Sequence, residues 1–283
     1  MSTNAEQAEY WNESAGPTWV ALQEQLDAQI EPHGLAAIER AAPIAGEAVL
    51  DIGCGCGQTS LELARRVGPG GRVRGLDLSG PMLARARERA SEAGLDHLSF
   101  SQGDAQTHSF DAAATDLLFS RFGVMFFEDP LAAFHNFLRA LRPGGRLAFL
   151  CWKGIEENAW MRIPMLALAP LVELPAPLPP GSPGPMAFAD TARVCGLLEE
   201  AGFELVRANA HDSEIVLAGG GDPEAAADFM LRIGPAARAA REAGLEDPTP
   251  LREAIAKAVE PYQRDGSIVL GAGMWIYQAW RPE

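Results

Sequence analysis

The chain lacks any run of about 18 uninterrupted apolar residues, so no membrane-spanning helix and no membrane partner are expected. Its start, Met1-Ser2-Thr3-Asn4-Ala5-Glu6, has no basic residue followed by an apolar stretch, so no secretory signal is expected. Cysteine is scarce, with 4 in 283 residues, which is too few for a disulfide framework. Cys54 and Cys56 lie in a Gly-rich turn, and Cys151 and Cys195 stand far away. No spacing resembles a zinc site, so no metal is expected and the thiols read as those of a reduced, cytoplasmic protein. Positive charge is also short: 23 Lys+Arg face 38 Asp+Glu, for a net charge of -15. A protein that grips a nucleic-acid backbone presents a basic stripe, and none is evident here. The nearest thing, Leu83-Ala84-Arg85-Ala86-Arg87-Glu88-Arg89, reads as a solvated helix face. These absences favour a small-molecule substrate and no nucleic-acid partner. The oligomeric state is not readable, and a homodimer is left open.

What is present is ordinary globular material, 47% hydrophobic and 22% charged. Residues 1–45 read as a helical segment, with Trp19, Leu22, Leu26 and Ile30 at helical spacing. Short β-rich runs then alternate with helices. Strands are expected at Ala48–Asp51, Arg72–Asp77, Leu98–Gln102, Leu117–Ser120 and Arg146–Trp152. Between them, Gln58–Val67, a helix opened by Ser79-Gly80-Pro81, and Pro130–Leu141 read as helical. Pro143-Gly144-Gly145 reads as the turn into the fifth strand, and Asp129 with Glu128 as helix-capping acids. The alternation predicts an α/β chain with a Rossmann-like, mostly parallel sheet of seven strands, helices on both faces, and lid insertions.

After Trp152 the composition shifts. Eight prolines fall between Pro164 and Pro185, which argues against regular structure, so 153–189 reads as an irregular cap. Asp190–Ala201 reads as a helix. Phe203–Leu217 reads as a sixth strand bent near Asn209, and Ser267–Trp280 as the last strand. Pro223–Tyr262 reads as mostly helical. The expected organisation is a helical lid at 1–45, a core at 46–152, the cap at 153–189, and the end of the sheet at 190–283 with a helical insertion at 222–263.

The segment Val49-Leu50-Asp51-Ile52-Gly53-Cys54-Gly55-Cys56-Gly57 carries most of the functional content. A nicotinamide or flavin site wants G-x-G-x-x-G. Counted from Gly53, the third position is Gln58; counted from Gly55, it is Ser60. The spacing is instead G-x-G-x-G, preceded by the acid Asp51. A carboxylate beside the turn repels pyrophosphate and favours a cationic ligand.

This segment resembles motif I of class I S-adenosylmethionine (SAM)-dependent methyltransferases. Three further segments resemble that family in order and spacing: Gly75-Leu76-Asp77-Leu78-Ser79, Gly103-Asp104-Ala105, and Asp116–Phe122 with Leu141–Leu147. The match covers roughly 45–152. Tyr10-Trp11, Ser120–Phe127 and Trp152 with Asn158-Ala159-Trp160 are similar to a bacterial small-molecule group within the class. The resemblance implies SAM as cofactor, with S-adenosylhomocysteine as product. It implies that Asp77 holds the ribose hydroxyls, that Asp104 accepts from the adenine amino group, and that Leu78 and Met82 flank the adenine. Asp51, Gly53, Gly55, Gln58 and Thr59 complete the expected contacts on the turn, with Gly103, Ala105 and Ser120 beside them. Tyr10, Trp11 and Trp19 are candidates to cover the sulfonium.

Methyl transfer is an in-line displacement that needs no fixed catalytic side chain, so candidates for one are few. His33 and Arg121 are the catalytic candidates, Arg121 also as a carboxylate binder. His135 reads as a surface residue; His97, His108 and His211 have no evident partner. Arg121, Phe122, Trp152, Trp160, Trp275 and Tyr277 are the candidate acceptor pocket. An RNA methyltransferase on this fold and a non-catalytic SAM-binding protein stay open as alternatives.

Overall fold

A computed structural model describes residues 4–283; the first three residues of the 1–45 segment lie outside them. From Ala5 to Ala41 the N-terminal segment is mostly helical: α1 (Ala5–Glu9), a π-helical turn (Tyr10–Ser14), α2 (Ala15–Ala21) and α3 (Gln23–Ala41). The alternating part follows as β1 (Ala48–Ile52), α4 (Gln58–Val67), β2 (Arg72–Asp77), α5 (Gly80–Glu92), β3 (Leu98–Gln102), β4 (Thr115–Arg121), α6 (Pro130–Ala140) and β5 (Leu141–Trp152). The rest comprises α7 (Ala159–Leu168), α8 (Thr191–Glu200), β6 (Glu204–Val216), α9 (Pro223–Met230), α10 (Pro235–Ala243), α11 (Thr249–Val259), β7 (Gln263–Arg264) and β8 (Ser267–Trp280).

The strands lie in the order β3-β2-β1-β4-β5-β8-β6, with the short β7 paired to β8. β1 to β5 are mutually parallel, and β8 runs antiparallel to both β5 and β6. This is the Rossmann-like, mostly parallel sheet. The central β1 is buried at all five positions, as an apolar strand covered on both faces must be. Chain order reverses between β1 and β4, and in open parallel sheets ligands bind there, beyond the carboxyl ends of the strands.

Capping residues start several helices. Ser79 Oγ accepts from Met82 N–H to open α5, and Asp129 from Ala132 N–H to open α6, while Glu128 stays exposed. Asp190 and Asp222 do the same for α8 and α9. Each such cap is worth about 1 kcal/mol.

Four local expectations are corrected. Pro143-Gly144-Gly145 does not precede the fifth strand but lies inside it, where the register against β4 shifts. Gly144 N–H donates to Arg281 O and Arg281 N–H to Gly145 O, so the irregular stretch is tied to the chain's end. No helix separates β3 from β4. The sixth strand is irregular at Glu204–Arg207, where Leu205 has φ 52°, and Asn209 pairs regularly with Ile276. The fourth correction concerns 153–189, which contains α7 despite Pro164. Proline there forfeits one helical hydrogen bond. Buried Trp160, Met161, Ile163 and Leu168 join α7 to the main core, which also includes Ile255 and Val259 of α11.

The N-terminal helices lie over the sheet. Near its C-terminal end α3 is held by Arg146, which donates to Ala41 O (2.7 Å) and Ala42 O (2.7 Å) and pairs with Glu47 (2.8 Å). Leu22 and Leu26 form a small second core with Ala218 and Phe229, and Gln29 Oε1 accepts from Ala218 N–H (3.0 Å).

Candidate active site

The glycine turn after β1 is built by close backbone approach. Gly53 has φ 64°, and a Cβ on it would lie 2.6 Å from Gly123 Cα. The turns after β1 and β4 therefore touch through two glycines, and neither tolerates a side chain. Gly123 was not foreseen as a partner, because its role exists only across the β1–β4 crevice.

Asp51 ends β1 fully buried. Its Oδ2 accepts from Thr59 Oγ (2.7 Å) and Ser60 Oγ (2.6 Å), both in the first turn of α4. Its Oδ1 is buried with no partner among the described residues. Burial pushes this carboxyl up to about 6, against the two hydroxyls and Arg121, which favour the charged form. Asp77, ending β2, accepts from Gly55 N–H (2.7 Å) and Ser79 N–H (2.8 Å). Burial raises its pKa, and these backbone donors oppose the rise. Met82 is buried against the same turn, its Cε 2.9 Å from where a Gly55 Cβ would be. Beyond β3, Gly103 N–H donates to Asp77 O, and the Asp104 carboxylate accepts from Gln106 N–H (3.0 Å) beside buried Ala105.

The π-helical turn docks on the β2–α5 connection. Asn12 donates to Leu78 O (3.0 Å) and accepts from Gly80 N–H (2.9 Å). Trp11 meets Tyr10, Trp19 and Phe126 edge-on at 5.5, 5.9 and 5.2 Å. The three aromatics expected to cover the cofactor thus form one cluster with Phe126, on the segment that Asn12 fastens to Leu78. Asn12, which anchors them, had no sequence signal.

A second set of contacts fastens α3 across the turn. Gln58 donates to Glu31 (3.0 Å) and accepts from Arg121 Nη1 (2.5 Å). Arg89 pairs with Asp27 (2.8 Å) and donates to Cys56 O (2.8 Å) in the glycine turn. The Arg-rich helix is therefore not simply a solvated face: α3 crosses above Arg89 and supplies its counter-ion. Arg121 stands at the end of β4, where burial lowers its pKa and Asp27 and Asp51 oppose the change. Ser120, fully buried, donates to Ile52 O (2.7 Å) and ties β4 to β1.

A methyltransferase domain family matches residues 49–145. Demethylmenaquinone methyltransferase of Listeria monocytogenes is 30% identical over 175 residues, which are 59% of this chain and 73% of the relative. The chain belongs to the class I SAM-dependent methyltransferases.

Aklanonic acid methyltransferase DauC of Streptomyces sp. is another member, 38% identical over 118 residues, or 42% of this chain and 54% of DauC. The chain thus spans about half the length of this relative. In fold, this chain is similar to the YcgJ protein of Bacillus subtilis, with TM-score 0.58 at 17% identity, over 89% of this chain and 99% of the other.

The site residues fit the family's cofactor, SAM. The unpartnered Asp51 Oδ1 suits an ammonium donor. The Asp77 oxygens, each holding one backbone N–H, keep further lone pairs for hydroxyl donors.

The candidate acceptor residues divide. Phe122, at φ 63°, stacks on Trp152 at 4.2 Å, and Trp152 meets Trp160 at 5.1 Å. Trp160 Nε1 is buried with no partner among the described residues. Asn158, fully buried, bonds Gly154 O (2.9 Å) and Gly273 O (3.1 Å) and so sets the start of α7 that carries Trp160. Trp275 and Tyr277 do not join this group. They pair with Cys151 and Phe149, whereas Trp152 pairs with Met274, so they occupy the opposite face of the sheet. There Tyr277 O–H donates to Phe188 O (2.9 Å) and Trp275 Nε1–H to Ala189 O (3.1 Å). Both are structural residues, and their place in the pocket is corrected.

Of the histidines, His135 is exposed, His97 bonds Ala64 O (2.8 Å) and His108 lies beside Gly103. His33 is buried, with Nδ1 3.2 Å from His211 Nε2. Among the described residues no group of three or more His, Cys, Asp or Glu is arranged to hold a metal ion. No helix there is long and apolar enough to cross a membrane.

Proposed function

We propose that this chain transfers the methyl group of SAM to a small-molecule acceptor, held beside Arg121, Phe122, Trp152 and Trp160. The observation that carries the cofactor part is Asp51, a buried carboxylate with one oxygen unpartnered at the glycine turn. SAM supplies a methyl group activated on a sulfonium. Asp51 receives the ammonium of its methionyl end, Asp77 its ribose hydroxyls and Asp104 its adenine amino group. Gly53, Gly55, Thr59 and Gly103 let it approach the backbone, and Leu78, Met82 and Ala105 contact the base. Trp11 and Trp19, with Tyr10, close over it.

The chain's own contribution is position: holding acceptor and methyl at about 3 Å in line supplies several kcal/mol of the barrier. Helices α1 to α3 and the segments 153–189 and 222–263 form a lid that excludes water. The net charge of -15 speaks against a polyanionic acceptor such as RNA. The four free cysteines suit a reducing, cytoplasmic setting.

Incubation with methyl-labelled SAM and a panel of small hydroxyl, carboxyl, amine and thiol acceptors tests the reading. Label transfer with release of S-adenosylhomocysteine, unaffected by added salt, is the expected result. Transfer only to RNA would overturn it. Limited proteolysis tests the lid: SAM should slow cleavage within it, and equal cleavage with and without SAM would dismiss it.

A further inference from the structure

A row of side chains crosses the carboxyl-end half of the sheet on the face covered by α3. His211 of β6 pairs with Met274 of β8, and Met274 with Trp152 of β5. Directly opposed residues share a face, and strands lie about 4.8 Å apart, so the row spans about 10 Å. Trp152 extends it by stacking on Phe122 at the end of β4. His33 comes down on this row from α3, its Nδ1 3.2 Å from His211 Nε2. It is 1% exposed, and its Nε2 is buried with no partner among the described residues. Its neighbour Gly34 lies against Arg121, where a Cβ would sit 3.0 Å from Cδ. Arg121 makes no salt bridge among the described residues and bonds Gln58 Oε1.

We propose that His33 is the general base of the methyl transfer, positioned by His211, and that the acceptor is an acidic hydroxyl compound, a phenol or enol, lying along Met274, Trp152 and Phe122. The inference rests on the methyltransferase reading above. The acceptor oxygen gains the methyl group, and its proton passes to His33 Nε2. The sulfonium sulfur keeps the electron pair of the broken S–C bond. In this role His33 Nδ1–H donates to His211 Nε2 across their 3.2 Å contact, the tautomer that leaves the Nε2 lone pair free. The Arg121 guanidinium stabilises the oxyanion as it forms.

The surroundings of His33 keep its ring neutral. Burial, then His211 of β6 and Arg121 of β4, lower its pKa to about 4. Burial, then Arg40 of α3, lowers the pKa of His211 in turn, and Asp212 of β6 opposes this. His33 is therefore neutral at pH 7, and the stacked faces of Phe122 and Trp152 beside it suit a planar hydroxyaryl or enol acceptor.

The test uses the full chain with SAM and 4-nitrophenol, 2-naphthol, cyclohexanol, aniline and thiophenol as probes. Turnover of the two hydroxyaryl probes and not of cyclohexanol is expected. No turnover of either hydroxyaryl probe, or turnover of the amine or thiol alone, would overturn the proposal. In His33→Gln, kcat for 2-naphthol, which arrives protonated at pH 7, should fall by about 10²–10⁴-fold, with SAM affinity by calorimetry unchanged. The lost rate should return as pH rises through the probe's own pKa, because the oxyanion then arrives preformed. An unchanged kcat, or a loss that high pH does not restore, would also overturn it. His211→Phe removes the acceptor of His33 Nδ1–H and should shift the acid limb of the kcat profile; an unmoved limb removes the positioning role. Failure of the wild-type chain to bind SAM would instead count against the methyltransferase reading itself.

Discussion

The two flanks of the β1–β4 crevice are assembled differently. On the β1–β2 side, Asp51 is held by residues 8 and 9 positions away, and Asp77 reaches Gly55 over 22. On the β4–β5 side, Arg121 meets Gln58 across 63 positions, Asn158 meets Gly273 across 115, and His33 meets His211 across 178. The first flank is a local device that a short motif encodes almost whole. The second exists only when remote helices and strands are docked. A cofactor shared by a large family suits the first kind of construction, and an acceptor particular to one member suits the second.

Four measurements can break or sharpen this contrast. Gly53→Val forces a Cβ into Gly123 and a β-branched residue into φ 64°, so unfolding stability should fall by about 3 kcal/mol or more. A thermal midpoint within a degree or two of wild type would mean the two turns do not depend on each other. Asp77→Ala should weaken SAM binding by roughly 1–3 kcal/mol, the usual cost of losing hydrogen bonds to a charged group. Unchanged affinity by calorimetry would remove the ribose role from the β2 end.

The third concerns pH. Asp51 titrates at about 6 in the fold against an ordinary 3.8, so the folded chain holds this proton more tightly than the unfolded one. Raising pH from about 4 to 6 therefore costs the free protein stability at this group. An ammonium at Oδ1 favours the carboxylate, so SAM affinity should be lost as pH falls through about 6, by up to about tenfold per pH unit. Asp51→Asn should flatten that dependence, and a slope surviving in the variant would assign it elsewhere. The smallest effect is expected on the far face of the sheet. Tyr277→Phe should cost about 1 kcal/mol of stability, for one buried hydrogen bond, and leave turnover unaltered. A marked loss of turnover would return Tyr277 to the acceptor site.

The motif acids at the ends of β1, β2 and beyond β3 were legible because each lies where an apolar strand run stops. Trp275 and Tyr277 were misgrouped for a related reason. Alternation along β8 puts both on one face, but which face matches Trp152 depends on the β5–β8 register, and no local pattern states that register. Helix α7 was hidden because proline content outweighed the apolar spacing of Trp160, Ile163 and Leu168, which only packing rewards. Arg89 looked solvated because its partner Asp27 comes from a helix that the chain lays across it much earlier.

By itself, the sequence determined the strand and helix order of the core, the glycine turn, and the acids that end its strands. Those features follow from local rules: hydrophobic period, capping, and the size of glycine. Only the tertiary structure decided which aromatics share a face, that Gly123 must accept Gly53, and that His33 finds His211. These depend on strand register and helix docking, which bury polar atoms far apart in the chain and leave a few, at Asp51, His33 and Trp160, without partners.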